Sequence, residues 1–301
     1  MIDLHIHSTC SDGLFTINEI LHMASEIGCE IISLVDHNTC AAYKCIQDYV
    51  GVYKGKIISG CEFNTYVLGI PVELLGYDFD VNTMHNFIKK MYPFTQDQIH
   101  KIQLELFAKK CKKNSVKINE EILFKESSPL SSSSMFDSIH CYPQNSRFFK
   151  SIEDFEDRKI FYRKYLSDPN STFYCNLEQI YPSSFEIINA IKSCNGKVFI
   201  PHIYEYKNNA MSILEYFTRN YEIDGIEAYY SKFSIKQRKM ITMYADSHGL
   251  LKSGGSDFHH GKKIHIGTGK GDLNISVKML GKWVLNARDY NAVWEKGILY
   301  E

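Results

Sequence analysis

Short apolar runs that end abruptly in histidine, aspartate or glutamate recur along this chain, and any fold must find a place for those endings. Ile31-Ile32-Ser33-Leu34-Val35 runs into Asp36-His37-Asn38-Thr39, Gly60-Cys61 into Glu62, and Phe199-Ile200-Pro201 into His202. Leu250 to Ser253 runs into Gly254-Gly255-Ser256-Asp257-Phe258-His259. A run apolar at successive positions reads as a parallel strand buried on both faces. A charge set directly after such a strand is costly unless it is paired or bound to a metal. In parallel α/β folds the C-terminal strand ends share one rim, so these distant residues are expected to converge there.

The first strand carries the clearest sign of what they converge on. Asp3-Leu4-His5-Ile6-His7 places two histidines one residue apart. Side chains alternate faces along a strand, so His5 and His7 project the same way. Two imidazoles aimed at one point form half of a metal site, and Asp12, in the turn that follows, adds an oxygen ligand.

The elements between these endings alternate. Ile2–His7 reads as strand, Thr16–Ile27 as an amphipathic helix stopped by Gly28, Ile31–Asp36 as strand, Cys40–Tyr49 as helix and Lys56–Phe63 as a third strand. Val72–Tyr77, after the turn at Gly69-Ile70-Pro71, reads as its hairpin partner. The rhythm stops between about residues 84 and 178. There His100–Asn114 reads as a lysine-rich helix, Ser127–Ser134 as a mobile polar loop and Ser151–Leu166 as a charged helix. It resumes with helix Phe185–Ser193, strand Val198–Pro201, strand Gly225–Tyr229, helix Ile235–His248 and strand Leu250–Ser253. Such alternation predicts parallel strands flanked by helices, an α/β fold.

Composition narrows the partners. A formal net charge of −1 gives no global attraction to nucleic acid or to an anionic membrane. Nucleic acid is therefore expected as a partner only as a short oligonucleotide. No apolar stretch approaches the roughly 20 residues that span a bilayer. Charged residues interrupt the N-terminus from Asp3 on, so no secretory signal is expected and the cytoplasm is the expected location. Nine cysteines without a Cys-x-x-Cys pair read as reduced packing residues. The oligomeric state is left open.

His5, His7, His37, His202 and His259, with Asp12, Glu62 and Asp257 and the further candidates Asp36 and Glu73, are too many for one tetrahedral zinc. They suit two or three divalent ions sharing a bridging carboxylate, with manganese, iron or zinc favoured by the mixed ligands and magnesium also fitting. Clustered ions of this kind suit hydrolysis. Asp36 reads as a residue that orients His37 or its neighbours. Gly254-Gly255 reads as a tight strand-to-loop turn, Tyr229-Tyr230 as an aromatic platform for a base, and His260 as a support to its neighbour His259.

Taken together, Asp3–Gly13, Asp36–Thr39, Glu62, Pro201-His202 and Gly254–His260 resemble the successive motifs of the PHP (polymerase and histidinol phosphatase) family, closest to its small bacterial metal-dependent phosphoesterases. The resemblance implies a distorted (β/α)7 TIM-like barrel from residues 1–84 and 178–301, with 85–177 a helical insertion covering the active-site rim. It implies a first ion on His5, His7, Glu62 and Asp257, a second on Glu62 and His202, and a third on Asp12, His37 and His259. The implied reaction is hydrolysis of a phosphate ester of a small metabolite or nucleotide, nucleotide bisphosphates or short RNA 5′ ends, by a hydroxide bridging the ions. Asp257 would orient that hydroxide and His259 would protonate the leaving oxygen. Histidinol phosphate hydrolysis is the alternative substrate reading, and a non-catalytic metal-stabilised module the alternative of another class.

Two departures from the family pattern stand out. Glu73, in Val72-Glu73-Leu74-Leu75-Gly76, stands where the relatives usually carry histidine, and it is read as an oxygen ligand of the second ion. The arginine- and histidine-bearing stretch that grips phosphate in relatives has no counterpart. Arg147 and Arg163 are taken as the substrate-binding residues by charge, with Arg158 and Lys164 as further candidates.

Overall fold

A computed structural model describes residues 1–49, 51–125 and 131–291. Its strands are β1 (Ile2–Ile6), β2 (Ile31–Leu34), β3 (Lys56–Ile57), β4 (Gly60–Val67), β5 (Ile70–Tyr77), β6 (Lys197–Ile200), β7 (Gly225–Tyr230) and β8 (Leu251–Gly255). They form one sheet in the order β1-β2-β3 and a second in the order β4-β5-β6-β7-β8. β1, β2 and β3 run parallel, as do β6, β7 and β8, while β5 meets β6 antiparallel. This is an α/β fold, as the alternation predicts.

Contacts between elements set the local geometry. β1 and β2 are buried at every position, which is why their sequences lack the apolar–polar alternation of a half-exposed strand. Ile2, Leu4, Ile31, Leu75, Tyr77, Phe199, Ile275 and Trp283 share one apolar cluster. The helix Ile17–Glu26 buries Ile17, Ile20, Leu21 and Ala24, the spacing of a single helical face. It starts at a capping box between Thr16 and Glu19, and Ser183/Glu186 and Ser234/Gln237 do the same for helices Ser184–Ser193 and Ile235–Ser247.

Strand ends from the two sheets are also bonded to one another. The His7 amide donates to the Phe258 carbonyl at 2.9 Å, and the Asp257 amide to the His5 carbonyl at 2.9 Å. The Asn38 amide donates to the Glu62 carbonyl at 2.8 Å. Bridges therefore tie β1 to the segment after β8, and the segment after β2 to β4.

Several sequence expectations need correction. The expected third strand Lys56–Phe63 is two strands. The chain breaks at Ile58-Ser59, where Ser59 Oγ donates to the Phe79 carbonyl at 2.8 Å. Cys40–Tyr49 is an α-helical turn, Ala41–Cys45, followed by a 3₁₀ segment, Ile46–Tyr49. Gly254-Gly255 is no turn: both lie inside β8, and neither has a positive φ. A Cβ on Gly255 would overlap the His5 backbone nitrogen and Cβ, and one on Gly254 would meet Tyr229. These glycines let β8 approach its neighbours closely.

The chain divides into two compact units. The first comprises Met1–Val67, Pro71–Met91 and the residues from Pro182 onward; the second comprises Leu68–Ile70 and Tyr92–Tyr181. The second unit is helical around an aromatic core of Phe107, Phe136, Phe149, Phe155, Phe161 and Phe173. Its lysine-rich helix spans Gln96–Lys113. Of the expected loop Ser127–Ser134, Ser131–Ser134 open the helix Ser131–His140, with Ser134 buried, and 127–130 lie outside the described residues. The expected helix Ser151–Leu166 is broken at Asp157, whose side chain accepts the Lys159 and Ile160 amides and restarts the helix, which continues as a π-helix over Phe161–Leu166. No helix among the described residues is long and apolar enough to cross a membrane.

Candidate metal centre

The centre is built outward from Glu62, which is 1% exposed. Its Oε2 lies 3.4 Å from His5 Nε2, 3.3 Å from His7 Nε2 and 3.5 Å from His37 Nδ1. Its Oε1 lies 2.9 Å from His202 Nε2. Four imidazoles from three separate strand ends thus surround one carboxylate. Asp257 Oδ1 is 3.6 Å from both His5 Nε2 and His7 Nε2, and 3.3 Å from His259 Nδ1. Asp12 Oδ2 lies 3.3 Å from His259 Nε2 and 3.7 Å from His37 Nε2. Glu73 Oε2 lies 3.3 Å from His202 Nε2, and its Oε1 is 3.9 Å from His37 Nδ1.

Potential ligand atoms fall into overlapping groups, each within 4.8 Å: His7, Asp12, His37 and His259; His5, His7 and Asp257; His5, Glu62 and His202; His37, Glu62 and Glu73. Every residue expected as a ligand is therefore in one of these groups, Glu73 included. His7 also joins the Asp12 group and His5 the His202 group, so the groups interlock more than the motif-by-motif assignment implies.

The donor set fits divalent ions. His5 Nε2, both nitrogens of His7, His37 Nδ1 and His202 Nδ1 are buried without a hydrogen-bond partner, which native interiors rarely tolerate. Most of the nitrogen-to-oxygen gaps are longer than good hydrogen bonds. Ligands about 2.1 Å from a shared ion sit roughly 3.0–3.4 Å apart, close to the shorter of these gaps.

The electrostatics agree with that fit. Burial pushes the Glu62 carboxyl up, but the charges of His5 and His37 and the bond from His202 hold it well below its ordinary value. Burial likewise works against ionised Asp257, and His5, Lys232 and His7 overcome it. Asp12 resists burial through the His259 bond and the charge of His37, and sits at about 2. Burial would lower His202 and His259, yet Glu62 raises the first to about 9, and Asp12 and Asp257 raise the second to about 9. Of Glu62, Asp12, Asp257 and Glu73 only Glu73 is raised, by burial and by the neighbouring charge of Glu62, and burial lowers the His7 imidazole. Ionised carboxylates facing protonated imidazoles are what a cation site holds when protons take the cation's place.

Backbone conformation aims several of these groups. Asn38 (φ 54°), His202 (φ 21°) and Asp257 (φ 57°) occupy the left-handed region just beyond β2, β6 and β8. Such conformations cost energy in non-glycine residues and collect at functional sites. Asp36 holds the ligand loop, accepting the Ser8 amide at 2.8 Å, Ser8 Oγ at 2.7 Å and Ser11 Oγ at 2.5 Å. Its side chain is expected to orient His37 or its neighbours, but it fixes instead Ser8 and Ser11, the loop that leads to Asp12.

Sequence reasoning missed Glu227. Fully buried in β7, it accepts from His5 Nδ1 at 2.8 Å through Oε1 and from the His202 amide at 2.8 Å through Oε2. A carboxylate that fixes a ligand imidazole through its far nitrogen sets the tautomer and ring orientation. The available signal was a lone charge in the apolar strand Gly225–Tyr230. His260, expected in such a supporting role, is exposed. Tyr229 packs against the apolar cluster, and Tyr230 is buried with its hydroxyl donating to Asp257 Oδ2 at 2.7 Å, so the pair forms no open platform. Cys61 is buried, its thiol pushed up by burial and donating to the Asp36 carbonyl, consistent with a packing role.

These groups open onto a pocket of about 200 Å³ lined by His37, Glu62, Glu73, His202, Glu205, Tyr230, Lys232, Asp257 and His259. Arg147 and Arg163 belong to the second unit. There Arg147 donates to the Ser115 carbonyl at 3.1 Å and stacks on Phe148, and Arg163 is exposed in the π-helix Phe161–Leu166.

The sequence profile of the PHP domain matches residues 3–225, most of the chain. The chain belongs to the PHP domain family. A 5′-3′ exoribonuclease of Haemophilus influenzae is 26% identical over 265 residues, spanning 85% of this chain and 89% of the relative. The 5′-3′ exoribonuclease Rnm of Escherichia coli is 23% identical over 269 residues, 85% of this chain and 84% of its own. A phosphoribosyl 1,2-cyclic phosphate 1,2-diphosphodiesterase of Eggerthella lenta is 32% identical over 76 residues, a quarter of this chain (25%) and 29% of its own. Among solved structures, a candidate metal-dependent phosphoesterase of Bifidobacterium adolescentis shares the fold with a TM-score of 0.61 and 19% identity, covering 96% of each chain. A Chromobacterium violaceum amidohydrolase with bound sulfate shares it at a TM-score of 0.58 and 20% identity, covering 88% of this chain and 89% of that one. This PHP protein is a phosphoesterase, a hydrolase.

Proposed function

We propose that this PHP protein hydrolyses the phosphate ester of a nucleotide at the 5′ end of a short RNA or in a small nucleotide bisphosphate, using two or three divalent ions. The observation that carries the reading is the position of Glu62, one buried carboxylate within reach of His5, His7, His37 and His202. The end-to-end likeness to 5′-3′ exoribonucleases favours an RNA end over histidinol phosphate. The near-complete ligand set favours an enzyme over a non-catalytic module.

On this reading His5, His7, Glu62 and Asp257 hold one ion, Glu62, Glu73 and His202 a second, and Asp12, His37 and His259 a third. Such ions supply Lewis acidity and charge neutralisation at the phosphoryl group, with manganese, iron or zinc suited to the mixed ligands. Glu227 keeps the His5 ring turned inward. Asp257 has its Oδ2 held by Tyr230, leaving Oδ1 to accept a hydrogen bond from an attacking water and so aim it at phosphorus. The same reading joins the two sheets into one distorted seven-stranded barrel, β1, β2 and β4 to β8. The bridges Ile6–Phe258 and His37–Glu62 support that closure.

The test offers manganese-loaded protein a 5′-phosphorylated tetraribonucleotide and, separately, adenosine 3′,5′-bisphosphate. Mononucleotides shortened stepwise from the 5′ end, or free phosphate from the bisphosphate, are expected. Inertness towards both, with full metal stoichiometry, would overturn the reading.

A further inference from the structure

The lining of the pocket poses a charge problem. Four of its residues are carboxylates (Glu62, Glu73, Glu205 and Asp257), three are imidazoles, and one is the phenol of Tyr230. Lys232 is the one lysine or arginine among these lining residues. It lies two residues beyond the end of β7, and its side chain is 39% exposed, half in the wall and half open.

We propose that Lys232 holds a non-bridging oxygen of the substrate's phosphate, a role that rests on the phosphoesterase reading above. The ammonium is placed by two fixed partners: Nζ donates to Tyr230 Oη at 2.7 Å and to Asp257 Oδ2 at 3.1 Å. Tyr230 is itself a rigid post, 1% exposed, with its ring packed edge-on against Phe233 at 5.0 Å and its hydroxyl donating to Asp257. An ammonium carries three donors, so two partners leave a third for a ligand.

The two oxygens of Asp257 divide the work. Oδ1 faces His5, His7 and His259, and Oδ2 faces Tyr230 and Lys232. A phosphate bonded to Lys232 therefore sits beside the carboxylate that borders the imidazole groups. Donors held in place before substrate arrives need no reorganisation when it binds. Lys232 would then do what the arginine-bearing stretch does in relatives, from a strand end of the first unit. An ion pair this exposed would add little as a stability device alone, which leaves ligand binding as the role its placement serves.

The experiment titrates inorganic phosphate into manganese-loaded wild-type protein, Lys232→Met and Lys232→Arg by calorimetry, with metal content and melting temperature measured alongside. Loss of one charge-assisted hydrogen bond predicts about tenfold or greater weakening in Lys232→Met. Metal content and melting temperature should stay unchanged, KM should rise more than kcat falls, and Lys232→Arg should restore most of the affinity. Unchanged phosphate affinity in Lys232→Met would overturn the proposal. So would weakening that tracks lost manganese, or no phosphate binding by the wild-type protein. Absence of turnover in the wild type would instead strike the phosphoesterase reading, because the calorimetric comparison judges Lys232 without turnover.

Discussion

His5 Nδ1 lies 2.8 Å from Glu227 Oε1, and both side chains are wholly buried although 222 residues separate them in sequence. The bond turns His5 Nε2 toward Glu62 and Asp257. Glu227→Gln keeps the volume and the acceptor for the His202 amide but weakens the hold on His5. Metal affinity should fall about 10–100-fold with the fold intact. Glu227→Ala should in addition cost about 1–3 kcal/mol, since the His202 amide loses its buried partner. Metal titration beside urea denaturation checks both; wild-type metal affinity in Glu227→Gln would refute the orienting role.

Among the carboxylates, Glu62 should matter most to metal content. It belongs to groups with His5 and His202 and with His37 and Glu73, whereas Glu73 belongs to one. Glu62→Gln should lose more than one ion per chain, and Glu73→Gln at most one. Elemental analysis of protein purified without chelator decides this, and equal losses would contradict it. Asp257→Asn should abolish turnover while the melting temperature of the loaded protein stays near wild type.

Gly255 sits where β8 crosses closest to β1. Gly255→Ala would drive a Cβ into the His5 backbone, so overpacking of about 1–3 kcal/mol is expected, together with weaker metal binding as His5 shifts. Gly28, whose surroundings are open, serves as the comparison: its φ of 67° gives Gly28→Ala a backbone penalty without touching the site. Denaturation midpoints and metal titrations of the two variants separate local strain from damage to the centre.

Proton release should accompany metal loading. Without a cation, Glu62 holds His202 at about 9, and Asp12 and Asp257 hold His259 at about 9, so both rings are charged near neutrality. A ligand imidazole must be neutral, so loading below about pH 9 expels protons and affinity climbs as pH rises. Calorimetry at about pH 7 in buffers of different ionisation heat should show that release. No buffer dependence would refute it.

The metal-free fold should respond to pH in both directions. His202 and His259 are raised from 6.5 to about 9, so their stabilisation is complete below 6.5 and lost as pH rises through about 9. Asp12, lowered from 3.8 to about 2, contributes above 3.8, and that contribution is lost as pH falls through about 2. Melting temperature in chelator should therefore drop on the alkaline side, and bound manganese should remove that drop. A flat alkaline limb in chelator would show that these imidazoles are not held charged.

The sequence by itself determined the features that local chemistry dictates. Strand alternation put His5 and His7 on one side, the boxes Thr16/Glu19 and Ser183/Glu186 started helices, and polar residues after apolar runs marked Asp12, His37, Glu62, His202, Asp257 and His259 as a set. Only the tertiary structure decided what depends on distant neighbours. Glu227 looks like a stray charge until His5 packs beside it, Gly254-Gly255 looks like a turn until β1 and β7 close in, and Ser131–Ser134 looks like a loop until aromatic packing makes it helix. The reason is range. Alternation and capping act within a few residues, but a buried hydrogen bond or an excluded Cβ exists only once chain segments hundreds of positions apart have met.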